Sequence, residues 1–186
     1  MEFIATDFPG LFNLQPRVFE DPRGYFFESY NQKVFDEAGM PGDWVQDNQS
    51  SSVYGVIRGL HYQLNPFAQA KLIRVLQGKI LDVVVDLREG SPTYLNSYSL
   101  ELSSENKYQL LIPRGFAHGF SVLSEQAIVL YKCDHYYHKN AEAGIIYNDP
   151  TLAIDWKIPP GKEIISDKDA LLPKLGAHQS NFSFQQ

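Results

Sequence analysis

Cysteine is nearly absent: Cys133 stands alone among 186 residues, which excludes an intramolecular disulfide. No uninterrupted apolar run approaches the ~20 residues that cross a bilayer as a helix, so no membrane partner is expected. The opening MEFIATDFPG lacks a basic segment followed by an apolar stretch, so no secretory signal is expected and the expected location is cytoplasmic. Basic residues are in the minority, 16 Lys and Arg against 22 Asp and Glu, for a net charge of −6. Nucleic acid is not an expected partner, because neutralising phosphates takes a basic patch and no Lys/Arg cluster is present. A small anionic ligand stays compatible with this balance, since a few cations in one pocket suffice. Internal repeats, low-complexity tracts and linker-like stretches are also missing, and the expectation is one domain over residues 1–186.

What is present reads as β-structure. Aromatics make up 13% of the chain, and strand-like runs separated by turn residues dominate. Strands are expected over Gly24–Tyr30, Lys71–Leu76, Lys79–Leu87, Tyr94–Leu102, Tyr108–Ile112, His118–Leu123 and Ala127–Cys133. In Lys79–Leu87 the alternation puts Val83, Val85 and Leu87 on one face and Asp82, Val84 and Asp86 on the other. Two short helices are expected, Gln32–Ala38 ending at Gly39, and Asp167–Leu171 with Ser166 as its N-cap. Many short strands without intervening helices predict an antiparallel sandwich or small barrel, a shape whose mouth can hold a ligand.

Three clusters carry chemistry. In Arg58-Gly59-Leu60-His61, Arg58 and His61 are three apart, so a regular strand sends them to opposite faces, whereas a bulge at Gly59 brings both to one pocket. In Pro113-Arg114-Gly115-Phe116-Ala117-His118-Gly119, a turn delivers His118 among small residues that allow close approach of a ligand. In Ala127–Asp134, Tyr131 shares parity with Ala127 and Val129, which aims its ring at an apolar interior. Each of these residues has an ordinary structural reading when taken alone.

Together they do not stand alone. Seven motifs in order resemble the dTDP-4-dehydrorhamnose 3,5-epimerase family: Asp21–Phe26, Gln46–Ser50, Arg58–Gln63, Ser91–Thr93, Pro113–Phe120, Asn148–Pro150 and Ser166–Asp169. The resemblance implies an all-β, cupin-like antiparallel jelly-roll barrel with a few short peripheral helices, and a homodimer with exchanged N-terminal strands. It implies metal-independent 3,5-epimerisation of dTDP-4-dehydro-6-deoxy-D-glucose, a dTDP-linked 4-keto-6-deoxy sugar, with no cofactor. It implies His61 as base, held by Asp169, Tyr131 as acid, and Lys71 and His118 at the ketone oxygen. Arg23, Glu28, Gln46, Asp47, Asn48, Arg58, Glu142 and Lys168 match the family's ligand contacts, and Tyr137 its base-stacking position. Lys157–Gly161 reads as a local insertion ahead of the last motif.

The chemistry fits these residue types. Hydrogens on the carbons beside a ketone are weakly acidic, their removal leaves an enolate, and reprotonation from the other face inverts the carbon. Histidine suits the base, and tyrosine, protonated at neutral pH, suits the acid. The same machinery would serve an enzyme inverting only carbon 3 or only carbon 5, or a ketoisomerase. A non-catalytic sugar-nucleotide binder would have no reason to keep base, acid and oxyanion groups together. A metal-dependent barrel is a further alternative, but none of His61, His118, His135, His138 and His178 forms a close His-x-His pair followed by Glu.

Overall fold

The computed structural model describes residues 1–40 and 42–185. In chain order the strands are β1 (Glu2–Ala5), β2 (Phe12–Gln15), β3 (Phe19–Asp21) and β4 (Gly24–Phe26), followed by helix α1 (Gln32–Glu37). Then come β5 (Gln46–Val53), β6 (Ile57–Gln63), β7 (Lys71–Gln77), β8 (Lys79–Asp86) and β9 (Ser97–Ser103). The last elements are β10 (Gln109–Ile112), β11 (Phe116–Val122), β12 (Gln126–Cys133), β13 (Glu142–Gly144) and helix α2 (Asp167–Ala170).

The strands form a six-stranded sheet, β1-β2-β10-β7-β12-β5, a five-stranded sheet, β13-β6-β11-β8-β9, and the separate hairpin β3–β4. Pairing between these strands is antiparallel throughout. Side chains alternate across each strand. The inward sets are Ile73 and Val75, Ala127 and Val129, Ile80 and Val84, and Phe120 and Val122, which pack with Leu110 and Ile112 as the core between the sheets. Burial of such side chains supplies about 1.5–3 kcal/mol each before chain entropy is counted.

The outer faces are also covered. On the five-stranded sheet, Ile57, Leu60, Val83, Val85 and Ala117 lie under Ile145, Leu152, Trp156 and Phe182 of the C-terminal segment. On the six-stranded sheet, Phe35 of α1 packs with Leu14, Leu72 and Leu111. The parity expected for Lys79–Leu87 therefore holds, with both faces of β8 buried. Asn31 caps α1 by accepting from the Lys33 backbone N–H, and Gly39 (φ +68°) ends it in the left-handed region that favours glycine.

Two strand expectations are shortened. The predicted Gly24–Tyr30 strand is regular only over Gly24–Phe26, in a hairpin whose residues are all exposed and which pairs with neither sheet. The predicted Tyr94–Leu102 strand starts at Ser97, because the buried Asp86 carboxylate draws the preceding segment into a turn. Ser91 Oγ (2.6 Å), Thr93 Oγ1 (2.7 Å) and Arg88 (2.8 Å) all donate to it. Those hydrogen bonds outweigh burial and hold the carboxyl below the usual aspartate range. The Ser-Pro-Thr motif is thus a clamp of the fold.

Candidate active site

An apolar barrel interior gives way to a polar one at one end. Parity carries this change: inward positions continue from Ile73 to Lys71 on β7, from Val129 to Tyr131 on β12, and from Phe120 to His118 on β11. Cross-strand register puts Asn48 opposite Tyr131 and Ser50 opposite Val129, so the even-numbered residues of β5 face the same interior. The result is an open cavity of about 260 Å³ lined by Gln46, Asn48, Ser50, Arg58, His61, Gln63, Gln69, Lys71, His118, Tyr131, Tyr137 and Glu142, among others.

Arg58 and His61 share this cavity because β6 carries an extra residue. His61 pairs with His118 and Arg58 with Phe120, so Gly59 and Leu60 together face the single residue Gly119. The bulge reverses the parity that three residues of regular strand would impose. Gly59 is needed there: its φ is +120°, and a Cβ would lie 2.7 Å from both Gly119 Cα and the His118 carbonyl. Gly59→Ala should cost about 2–4 kcal/mol in chemical denaturation. A stability equal to that of the parent chain would show that the bulge tolerates a side chain.

His61 and Asp169 form a pair with Nε2 to Oδ1 at 2.7 Å. Ser166 caps α2 by accepting from the Asp169 backbone N–H at 3.1 Å, and this cap orients the aspartate. Asp169 is 4% exposed and its second oxygen accepts from the Gly59 backbone N–H at 3.1 Å. Burial alone would raise its carboxyl, but the hydrogen bonds from His61, Gly59 and Ser166 hold it below the ordinary aspartate value. As a carboxylate it only accepts, so Nε2 carries the ring proton and Nδ1 keeps its lone pair.

The other polar groups are similarly placed. His118 is buried, with Nε2 at 2.9 and 3.1 Å from the two oxygens of Asp82, itself 0% exposed. Burial raises the Tyr131 phenol above its ordinary value, so it holds its proton at neutral pH. Burial lowers the Lys71 ammonium, an effect opposed by Cys133 and Asp82. At the rim, Tyr137 donates to Glu142 at 2.9 Å and Lys168 pairs with the other oxygen of Glu142. Burial works against that carboxylate, yet the hydrogen bonds from Lys168 and Tyr137 and the charge of Lys168 hold it below the usual glutamate range.

Of the residues singled out from the sequence, His61, Tyr131, Lys71, His118, Gln46, Asn48, Arg58, Tyr137 and Glu142 line the cavity, with Asp169 and Lys168 joined to it through His61 and Glu142. Three others are elsewhere in this chain. Arg23 is on the exposed hairpin, ion-paired to Asp21 at 2.6 Å. Glu28 accepts from Asn31 at 2.9 Å. Asp47 has the opposite parity to Gln46 and Asn48, and on the outer face it accepts from Lys132 at 3.0 Å. Sequence reasoning missed Ser50, Gln63 and Gln69 as lining residues, and Asp82 as the partner of His118. Gln63 was inside a quoted motif; its side chain joins two loops at the mouth, donating to the Phe67 carbonyl and accepting from the His138 backbone N–H.

Among the described residues, no three His, Cys, Asp or Glu side chains come together in a way that would hold a metal ion. His138 instead stacks on the Phe67 ring, and His135 meets that ring edge-on. Among the described residues, no helix is long and apolar enough to cross a membrane.

The fold and this pocket define a cupin-like jelly-roll enzyme of the isomerase class, an epimerase acting on a sugar nucleotide. A sequence profile described as dTDP-4-dehydrorhamnose 3,5-epimerase matches residues 5–177, and the chain belongs to that family. It is 50% identical over 170 residues to the dTDP-4-dehydrorhamnose 3,5-epimerase of Shigella flexneri, covering 91% of this chain and 93% of that one. The crystal structure of the Elizabethkingia anophelis NUHP1 enzyme of the same name superposes with a TM-score of 0.91 at 51% identity, covering 95% and 97% of the two chains. The Legionella pneumophila Philadelphia 1 dTDP-6-deoxy-D-glucose-3,5-epimerase, solved in complex with dTDP-4-keto-L-rhamnose, gives 0.90 at 46% identity, covering 95% and 93%.

Proposed function

We propose that this pocket converts dTDP-4-dehydro-6-deoxy-D-glucose to dTDP-4-dehydro-L-rhamnose without a metal, with His61 as base and Tyr131 as acid. The observation carrying this reading is that an Asp-oriented imidazole and a protonated phenol line one cavity that also holds Lys71 and His118. His61 Nδ1 takes a proton from a carbon flanking the ketone, and the C–H electron pair moves onto the carbonyl oxygen. Lys71 and His118 neutralise that oxyanion. Tyr131 then returns a proton to the other face of the carbon and becomes phenolate. Exchange with solvent resets imidazolium and phenolate before the second carbon reacts.

Arg58 suits the diphosphate through its guanidinium fork, Tyr137 the thymine plane, and Glu142, Lys168, Gln46 and Asn48 the polar edges of the ligand. Arg23 and Glu28 enter the same reading through an exchanged homodimer, in which each chain's N-terminal strands reach the other's pocket. Asp47 would join them only through its backbone or a partner's ligand, given its outward side chain. The hairpin leaves Phe19, Tyr25 and Phe26 at 51%, 57% and 70% exposure, apolar surface that a partner copy would cover. Sedimentation equilibrium should return a dimer; a monomer would contradict the exchange. The expected location is the cytoplasm, where nucleotide sugars are made, and fractionation of the source cell would test it.

In deuterated water the reaction should place deuterium at both carbon 3 and carbon 5, read by NMR. Label at one carbon would mark a mono-epimerase, and no label would end the enzyme reading. Chelator treatment should leave the rate unchanged. A loss restored by added metal would overturn the metal-free step.

A further inference from the structure

We propose that Asp82 is a positioning residue for this reaction: from beneath the pocket it fixes the His118 ring and supplies the counter-charge for both cations that face the sugar carbonyl. The proposal rests on the reading of Lys71 and His118 as the groups that meet the enolate oxygen. Asp82 has no solvent contact, and both its oxygens lie within hydrogen-bond distance of His118 Nε2. It sits on β8, diagonal to His118, because Phe120 is its direct cross-strand partner and Val84 is that of His118. A carboxylate only accepts, so Nε2–H is committed to Asp82 and Nδ1 is the nitrogen left for a ligand. His118 can donate from Nδ1 to an oxyanion only when both nitrogens carry protons, and the Asp82 charge is what balances that cation.

Lys71 brings a second line of support. Its cross-strand neighbours are Ile112 and Cys133, and Arg58, His61, His118, Tyr131, Tyr137 and Glu142 share its cavity, Glu142 at the rim in its pair with Lys168. Burial lowers the ammonium, and Cys133 and Asp82 act against that lowering. Burial also pushes the Cys133 thiol up to about 11, so at neutral pH it is uncharged. Asp82 is then the anion that still supports Lys71. An enzyme that develops negative charge on a buried oxygen needs its cations kept charged and fixed beforehand, since a preorganised site spends nothing on reorienting dipoles during the reaction. A buried carboxylate behind both cations does this without touching the substrate.

Asp82→Asn keeps the size of the side chain and removes the charge. Loss of the anion lets Lys71 deprotonate at lower pH, so the alkaline limb of the pH–rate profile should move to lower pH. Exchange at neutral pH should slow about 10- to 100-fold, a loss below that of deleting an oxyanion donor outright. Asp82→Glu should restore the position of the limb. Competitive acylation of Lys71, followed by mass spectrometry across pH, reads the same coupling without any turnover and should show Lys71 reacting at lower pH in Asp82→Asn. An alkaline limb and a Lys71 labelling profile identical to those of the parent would overturn the proposal. If the parent showed no exchange, the functional reading would fail while the labelling still decided the role of Asp82. Should Asp82→Asn alone fail to fold, His118→Gln/Asp82→Asn removes both halves of the buried pair, a change that buried pairs tolerate better than loss of one partner. Its Lys71 profile must then lie at lower pH than that of His118→Gln, and coincidence of the two would overturn the proposal.

Discussion

Replacing His61 with Gln should lower the rate of hydrogen exchange at the carbons beside the ketone by about 10²–10⁴-fold while dTDP still binds. Glutamine extends its amide nitrogen to about the position of Nε2, so it can still donate to Asp169, which keeps its bond from the Gly59 backbone N–H. The buried carboxylate is therefore not stranded, a defect that would otherwise cost about 3–5 kcal/mol and confuse folding with chemistry. What the amide lacks is a lone pair basic enough to take a proton at neutral pH. The nucleotide contacts assigned to Arg58 and Tyr137 are untouched, so calorimetric titration with dTDP should give an affinity near that of the parent. Exchange at the parent rate would remove His61 from the base role.

Tyr131→Phe should separate two events that the parent couples. The phenyl ring keeps the packing against the core that includes Val129 and Ile73, so the fold is preserved. The proton donor on the second face is lost. Epimerised product should fall by about 10²-fold or more, while abstraction by His61 continues and its proton returns to the same face. Deuterium then washes into the substrate with configuration retained. Because burial raises the phenol, the parent Tyr131 stays protonated well into alkaline pH, and the donor is not lost by titration near neutrality. If Tyr131→Phe inverts carbons as fast as the parent, another group is the acid.

Much of the site was legible because the motifs encode backbone geometry as well as side chains. The glycine between Arg58 and His61 signalled the bulge, and the structure places that bulge where parity had to be reversed. The Ser166 cap was readable, and it is what aims Asp169 at His61. Strand β5 was not legible. Its sequence, QDNQSSSV, has no apolar alternation because one face lines a polar cavity and the other meets solvent. The Asp82–His118 pair was hidden for another reason. Parity put Asp82 on the face of Val84 without saying that this face is the inward one, and its partner depends on the register between β8 and β11, which neither strand's sequence states. Arg23, Glu28 and Asp47 show the converse: the resemblance matched them to the family's ligand contacts, yet in this chain none lines the cavity.

Three of the motifs turn out to hold the frame. Ser91 and Thr93 clamp Asp86. Asp149 accepts from the backbone of Thr151, Leu152 and Leu175. Arg114 bonds Asp134, which in turn accepts from the Ala70 backbone N–H. These bonds fix loops of the frame, and a proton-transfer site depends on a rigid frame because donor and acceptor must be held to a fraction of an ångström.

The most direct test of the central claim is a crystal structure of this protein with a dTDP-linked 6-deoxyhexose bound. The account predicts the pyranose lying between the His61 imidazole and the Tyr131 phenol, one group over each face, with the 4-oxygen toward Lys71 and His118. A sugar ring that meets both groups on the same face, or lies outside the cavity they line, would contradict it.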